Sequence, residues 1–150
     1  MINLQETKDV VMKWPTAINN NTSPSTTTVD TNGWDYAQIK FFYGASDIAL
    51  TALKVQESDD DSTYADVTGL IWGTSTNVAG STSTLPSATD DNKIFTFDID
   101  MRGRKRYLKL VYTVGNGTTG AYATAVCTLG RAKDGPSTAA ERGAAEILRV

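Results

Sequence analysis

The stretch Lys93-Ile94-Phe95-Thr96-Phe97-Asp98-Ile99-Asp100 decides the class of fold. In an extended chain Phe95, Phe97 and Ile99 share one side, while Ile94 and the polar residues take the other, the period-two signature of a strand with one core face. Working upstream, Leu53 and Val55 alternate with Lys54 and Gln56, and Tyr36-Ala37-Gln38-Ile39-Lys40-Phe41-Phe42-Tyr43 is rich in aromatic and β-branched residues. Downstream, residues 106–114 and 121–129 repeat the alternation and are joined by Gly115-Asn116-Gly117-Thr118-Thr119-Gly120, a turn-rich connector that predicts an antiparallel hairpin between them. Short strands with glycine-rich or acidic turns predict an all-β sandwich, barrel or jelly roll, with the antiparallel jelly roll favoured. The one helical candidate is residues 137–146. Ser137 or Thr138 with Glu141 forms a capping-box pattern after Gly135-Pro136, but Gly143 interrupts it, so a single turn or coil is an equal expectation.

With 150 residues the chain has the length of one domain. Its expected parts are an N-terminal arm with a first strand (1–34), a sandwich body (35–130) carrying a Ser/Thr-rich loop at 73–89, and a C-terminal tail (131–150). The net charge of −3 is too balanced for general attraction to a nucleic-acid backbone. Residues 1–10 show no secretory apolar run, and no later stretch has the length of a membrane helix. Histidine is absent, which removes the commonest general base, triad partner and metal ligand. The lone Cys127 lies in an alternating run and reads as a small buried thiol. The chain therefore reads as a binding protein and not an enzyme, with no cofactor, no metal, no direct nucleic-acid contact and no membrane partner. Catalysis by Asp98, Asp100 and neighbouring carboxylates ranks last, because residues two apart on a strand share a face without making a cleft.

Several features invite a functional reading. Glu57-Ser58-Asp59-Asp60-Asp61-Ser62 is a concentration of oxygen ligands, yet it lacks the spacing of a calcium loop and reads better as a hairpin turn. Arg102, Arg104, Lys105 and Arg106 place four cations within five residues, suited to an acidic partner or to solvation in a turn. Trp14, Trp34 and Trp72 stand beside loop residues, where they can anchor an interface or pack at a sandwich edge. The polar segments 19–31 and 133–150 would fray as independent termini, so a partner subunit is the expected support. Extended from Asp134, the tail spans on the order of 55 Å at ~3.3 Å per residue. It ends in Ile147-Leu148-Arg149-Val150, whose apolar side chains suit a clip onto a neighbour. The residues expected to meet partners are Trp14, Trp34, Arg102, Arg104, Lys105, Arg106, Ile147, Leu148 and Val150.

One resemblance follows from particular residues. Leu50-Thr51-Ala52-Leu53-Lys54-Val55-Gln56-Glu57-Ser58-Asp59-Asp60 with Tyr64-Ala65-Asp66-Val67, and later Arg104-Lys105-Arg106-Tyr107-Leu108-Lys109-Leu110, resembles segments of tailed-bacteriophage head proteins. On these residues the chain resembles capsid decoration, or cement, proteins, as a strand pattern over residues 35–130 whose specific part is 53–60. The resemblance implies a jelly-roll body and a homotrimer. It places the trimer on the outer surface of the head, where major capsid protein subunits meet, with arms reaching to neighbouring capsomers and synthesis in the host cytoplasm. The insertion at 73–89 has no counterpart and is expected to be an outward loop or an extra subunit contact. The rival expectation is a carbohydrate-binding or host-adhesion module of a virion tail or baseplate.

Overall fold

The computed structural model describes residues 4–136 and 138–148. A 3-10 turn at Leu4–Glu6 precedes eight strands: β1 (Lys8–Ile18), β2 (Val29–Asp30), β3 (Trp34–Ser46), β4 (Leu50–Ser58), β5 (Ala65–Ile71), β6 (Lys93–Asp100), β7 (Tyr107–Val114) and β8 (Ala121–Ala132). They form two four-stranded antiparallel sheets, sheet A in the order β1-β8-β3-β6 and sheet B in the order β2-β7-β4-β5. Only the β4–β5 connection stays within a sheet. Every other connection crosses between sheets, which makes the sandwich a jelly roll. Among the described residues no helix is long and apolar enough to cross a membrane.

The hairpin expected between β7 and β8 does not form. β7 pairs with β4 and β2, whereas β8 pairs with β3 and β1, and residues 115–120 carry the chain across the sandwich. The two inner faces of a sandwich face each other, so alternation alone does not distinguish strands of one sheet from strands of opposed sheets. The crossing is pinned from outside. Asp47 accepts hydrogen bonds from the backbone N–H of Thr118, Thr119 and Gly120 at 2.8, 2.7 and 2.8 Å. Asn19 exchanges two 2.8 Å bonds with the Gly117 backbone.

The core is the sum of the inward rows. Ile39, Phe41 and Tyr43 of β3 and Ala125, Cys127 and Leu129 of β8 face Leu53 and Val55 of β4 and Leu108, Leu110 and Tyr112 of β7, all essentially inaccessible. The Phe41 ring meets Tyr112 of the opposite sheet edge-on at 4.9 Å. Burial of each large side chain contributes about 1.5–3 kcal/mol, which sets the two sheets face to face before any loop is considered.

The polar segments that would fray alone are held by this chain's own strands. Along β7, Val114 N–H donates to Thr22 O at 3.1 Å, the Thr26 hydroxyl donates to Leu110 O at 2.6 Å, and Thr31 N–H donates to Arg106 O at 3.0 Å. Thr27 N–H reaches Met12 O of β1 at 2.7 Å, so the segment closes the β1/β2 side of the sandwich. The tail folds back as well. Thr138 and Glu141 form the expected capping box, with Glu141 N–H donating to Thr138 Oγ1 at 3.2 Å and Thr138 N–H to Glu141 Oε2 at 2.9 Å, but only a turn follows. That turn seats on the free edge of β1, where Asp9 N–H donates to Arg142 O at 2.9 Å. Gly143 makes the approach possible: at φ +76°, a Cβ there would lie 1.8 Å from Asp9 O. The expectation that a partner subunit supports these segments is thus corrected for residues 22–31 and 138–144, whose supports lie within the chain.

The 73–89 insertion is also folded. It closes the β5/β6 side as a small hairpin with Thr76 opposite Thr82, and the buried Ser83 hydroxyl donates to Ser75 O at 2.7 Å while accepting from Gly73 N–H at 3.1 Å. Beneath it Trp72 stacks edge-on against Phe95 at 5.2 Å and Phe97 at 6.2 Å. The acidic cluster is the β4–β5 turn. Asp60 accepts from the backbone N–H of Thr63 and Ser62 at 2.8 and 3.0 Å, bonds that hold its carboxyl well below the usual range.

Two outcomes test this packing. Among the described residues the buried Tyr112 hydroxyl has no hydrogen-bond partner, and burial pushes its pKa up to about 12. Tyr112→Phe removes that orphan and is expected to raise stability by about 1 kcal/mol in urea unfolding; a loss would show that the hydroxyl has a partner. The amides of Thr119, Gly120 and Thr118 hold the Asp47 carboxyl below its ordinary value. A depressed carboxylate contributes stability above its unfolded pKa and loses it as pH falls through the folded value. Hydrogen exchange at residues 118–120 should therefore accelerate relative to other loops on acidification, and Asp47→Asn should show fast exchange there already at neutral pH.

Candidate interaction surface

The alternation that buries one face of sheet A leaves the other outward, and that face is not uniformly polar. Phe42 of β3 pairs directly with Thr124 of β8 on one side and Ile94 of β6 on the other. The next row is Val11–Val126–Lys40–Thr96. Trp14 extends the first row onto β1, where the backbone is irregular on both sides of Lys13 and the Thr124 hydroxyl donates to Lys13 O at 2.6 Å. Trp14 is 71% exposed, Ile94 56% and Tyr122 48%, with Phe42, Val11 and Val126 half-buried between them. Tyr122 joins because Ala121 and Ala123 on either side of it point into the core. The result is a band of apolar side chains contributed by all four strands of sheet A, interspersed with Thr124, Lys40 and Thr96, with aromatic rings towards its β1 end. Exposed apolar side chains grouped on one face mark candidate binding sites on soluble proteins.

Of the residues expected to meet partners, Trp14 alone belongs to this band. Trp34 opens β3 half-buried and packs against the core. The four cations of the β6–β7 connection each meet a carboxylate of this chain: Arg102 with Asp100 at 2.5 Å, Arg104 with Glu57 at 3.5 Å, Lys105 with Asp59 at 3.2 Å and Arg106 with Asp30 at 2.7 Å. Arg102 and Arg106 also lie over the rings of Tyr36 and Tyr107 at 5.7 and 5.0 Å. The hydrogen bonds from Arg102 bring the Asp100 pKa down to about 2, and those from Arg106 hold Asp30 low. Asp98 accepts from Gln38 Nε2 at 2.7 Å. Exposed pairs of this kind add little stability, but they leave the cluster near neutrality as a partner would meet it. Ile147 is half-buried and Leu148 is 93% exposed, while Val150 lies outside the described residues.

A second concavity sits at the opposite edge of sheet A from β1. It has a volume of about 280 Å³ and lies between β5, the small hairpin and β6, lined by apolar residues such as Leu70, Trp72 and Phe97 and by polar ones such as Ser75, Asn77 and Asp98. Val78, at the hairpin tip, is fully exposed. Cys127 is buried, and burial, with a smaller effect of Asp9, pushes its thiol up to about 12. Among the described residues no group of three or more acidic or cysteine side chains is placed to hold a metal ion.

Phe42, Ile94, Tyr122, Val11 and Val126 were not singled out by the sequence reading. The available signal was apolar residues standing at outward positions of otherwise regular alternation, Ile94 opposite Phe95 being the clearest.

No protein-family model matches this sequence, and no curated protein matches it significantly. Among solved structures the chain is similar to the crystal structure of SPBc2 prophage-derived protein YomS, with a TM-score of 0.53 and 12% identity, over 87% of this chain and 98% of that one. At that identity the likeness is one of fold: the sandwich is shared almost from end to end.

Proposed function

We propose that this chain is a structural protein of a phage particle, a decoration module that attaches through the outer face of sheet A. In this reading it sits as a homotrimer on the outside of a head, where subunits of the major capsid protein meet. The observation that carries the reading is the apolar band of Trp14, Phe42, Ile94, Tyr122 and Val126 on a rigid sheet, in a chain that pairs its own basic cluster internally. The jelly roll recurs in viral capsid and lectin domains, and a prophage-derived protein has a similar fold. The reading is non-catalytic, in keeping with a chain that has no histidine and a buried, protonated thiol.

Physically, a shell under outward pressure from packaged DNA fails where subunits part, and a protein bridging the seam raises the cost of parting. Each apolar side chain of the band contributes about 1.5–3 kcal/mol when buried, less the cost of association. Strand residues lose little further freedom on docking. Modest contacts repeated by symmetry then sum to a large barrier. A carbohydrate-binding or adhesion module is the second reading, favoured by the exposed rings of Trp14 and Tyr122, which present flat apolar surface of the kind sugars stack on.

Co-sedimentation with phage heads lacking the protein tests the proposal. The wild-type chain is expected to add to heads and to stay bound at about 1 M salt, where exposed ion pairs are screened. A Trp14→Ser/Ile94→Ser variant should keep its melting temperature within a few degrees and lose occupancy at least tenfold. Full occupancy by that variant overturns the reading, and glycan-array binding by a chain that ignores heads selects the second one.

A further inference from the structure

We infer that Asn32 is a covalent modification site, where the side-chain amide is lost and the turn between β2 and β3 passes to an isoaspartyl linkage. The sequence holds two Asn-Gly pairs, Asn32-Gly33 and Asn116-Gly117. In such a pair no side chain shields the second backbone nitrogen, so it can reach the carboxamide of the asparagine before it. The Gly33 nitrogen attacks Asn32 Cγ and gives up its proton, the bond from Cγ to the amide nitrogen breaks, and ammonia leaves. The new N–Cγ bond closes a succinimide. Water then adds to one of the two ring carbonyls and opens the ring, to aspartate or to isoaspartate. Water is the only co-reactant.

The fold separates the two pairs. Exposure does not, because both asparagines are exposed. Gly117 N–H donates to Asn19 Oδ1 at 2.8 Å, and Asn19 Nδ2 donates to Gly117 O at 2.8 Å. Its nitrogen is thereby held away from attack, and a Cβ at Gly117 would run into Asp47 Oδ1 and Ile48, so the backbone has no room to shift. Gly33 is the reverse. The turn is closed by Trp34 N–H donating to Thr31 O at 3.0 Å, and the Gly33 N–H has no acceptor among the described residues. Nothing lies within 4 Å of where a Cβ of Gly33 would stand.

The change has local consequences. Asn32 N–H and Arg106 Nε both donate to Asp30 Oδ1, at 3.0 and 2.9 Å. A carboxylate at position 32 therefore arrives beside the Asp30–Arg106 pair and makes a balanced pole net negative. The isoaspartyl form also adds a backbone methylene before Gly33, whose carbonyl accepts from Lys133 N–H at 2.8 Å, and next to β2, which has two residues. The site is at the β2–β3 turn and not among the apolar side chains of sheet A, so the inference is independent of the proposed attachment.

Incubating the full folded chain in mildly alkaline buffer, with peptide mapping by mass spectrometry, tests the inference. Asn32 is expected to convert to the acid about fivefold or more faster than Asn116, the factor one backbone hydrogen bond is worth, with isoaspartate exceeding aspartate. In guanidinium chloride the two sites should convert at similar rates, since the difference belongs to the fold. Isoelectric focusing of the folded chain should show a more acidic species accumulating, and Asn32→Gln should remove it. The inference is overturned if the folded chain converts Asn116 as fast as Asn32, if Asn32 converts only in denaturant, if position 32 yields aspartate alone, or if the acidic species persists in Asn32→Gln.

Discussion

The structure depends on the burial of the inner faces of β3 and β8 against those of β4 and β7, with Phe41 meeting Tyr112 at its centre. Because all connections but β4–β5 pass between sheets, neither sheet is built from one contiguous stretch of sequence. The core and the topology are therefore one constraint. Once it is met, the outer faces are free of packing duties, and what stands on them reflects other demands. The outer face of sheet A carries rings and branched aliphatics where solvent alone would favour polar side chains.

Charge is arranged to a different end. The cations at residues 102–106 come from the β6–β7 connection, and their carboxylate partners come from three other places: the end of β2, the end of β4 and the turn after it, and the end of β6. The cluster ties these together at one pole of the molecule. At another junction Asp47 and Asn19 bond the backbone of residues 115–120. Polar side chains thus fix the crossings that the core alone leaves open.

Much of the fold was legible. Strict alternation in residues 93–100 and 107–114 identified half-buried strands, and the jelly roll expected from them is the one observed. The pairing of β7 with β8 was not legible, because inward rows in facing sheets and in one sheet look the same in sequence. The support of residues 22–31 and 138–144 was hidden for another reason. It rests on backbone groups and on Gly143 meeting Asp9, contacts that leave no hydrophobic period to read. Of the candidate site, Trp14 stood out as a large ring among polar neighbours. Phe42 did not, since Phe41-Phe42-Tyr43 gives no hint of which ring faces outward until Ile39 and Phe41 are known to share the core row.

The seating of the tail on β1 bears on behaviour in a crowded setting. An unpaired sheet edge is a template on which a strand of any neighbour can add, the route to ribbons and fibrils. Here Asp9 N–H is already bonded to Arg142 O, Met12 O accepts from Thr27, and Pro15 further along has no N–H to offer. The backbone of β1 is closed to strand addition along much of its length. On this edge of sheet A a neighbouring strand therefore finds few free backbone groups to pair with.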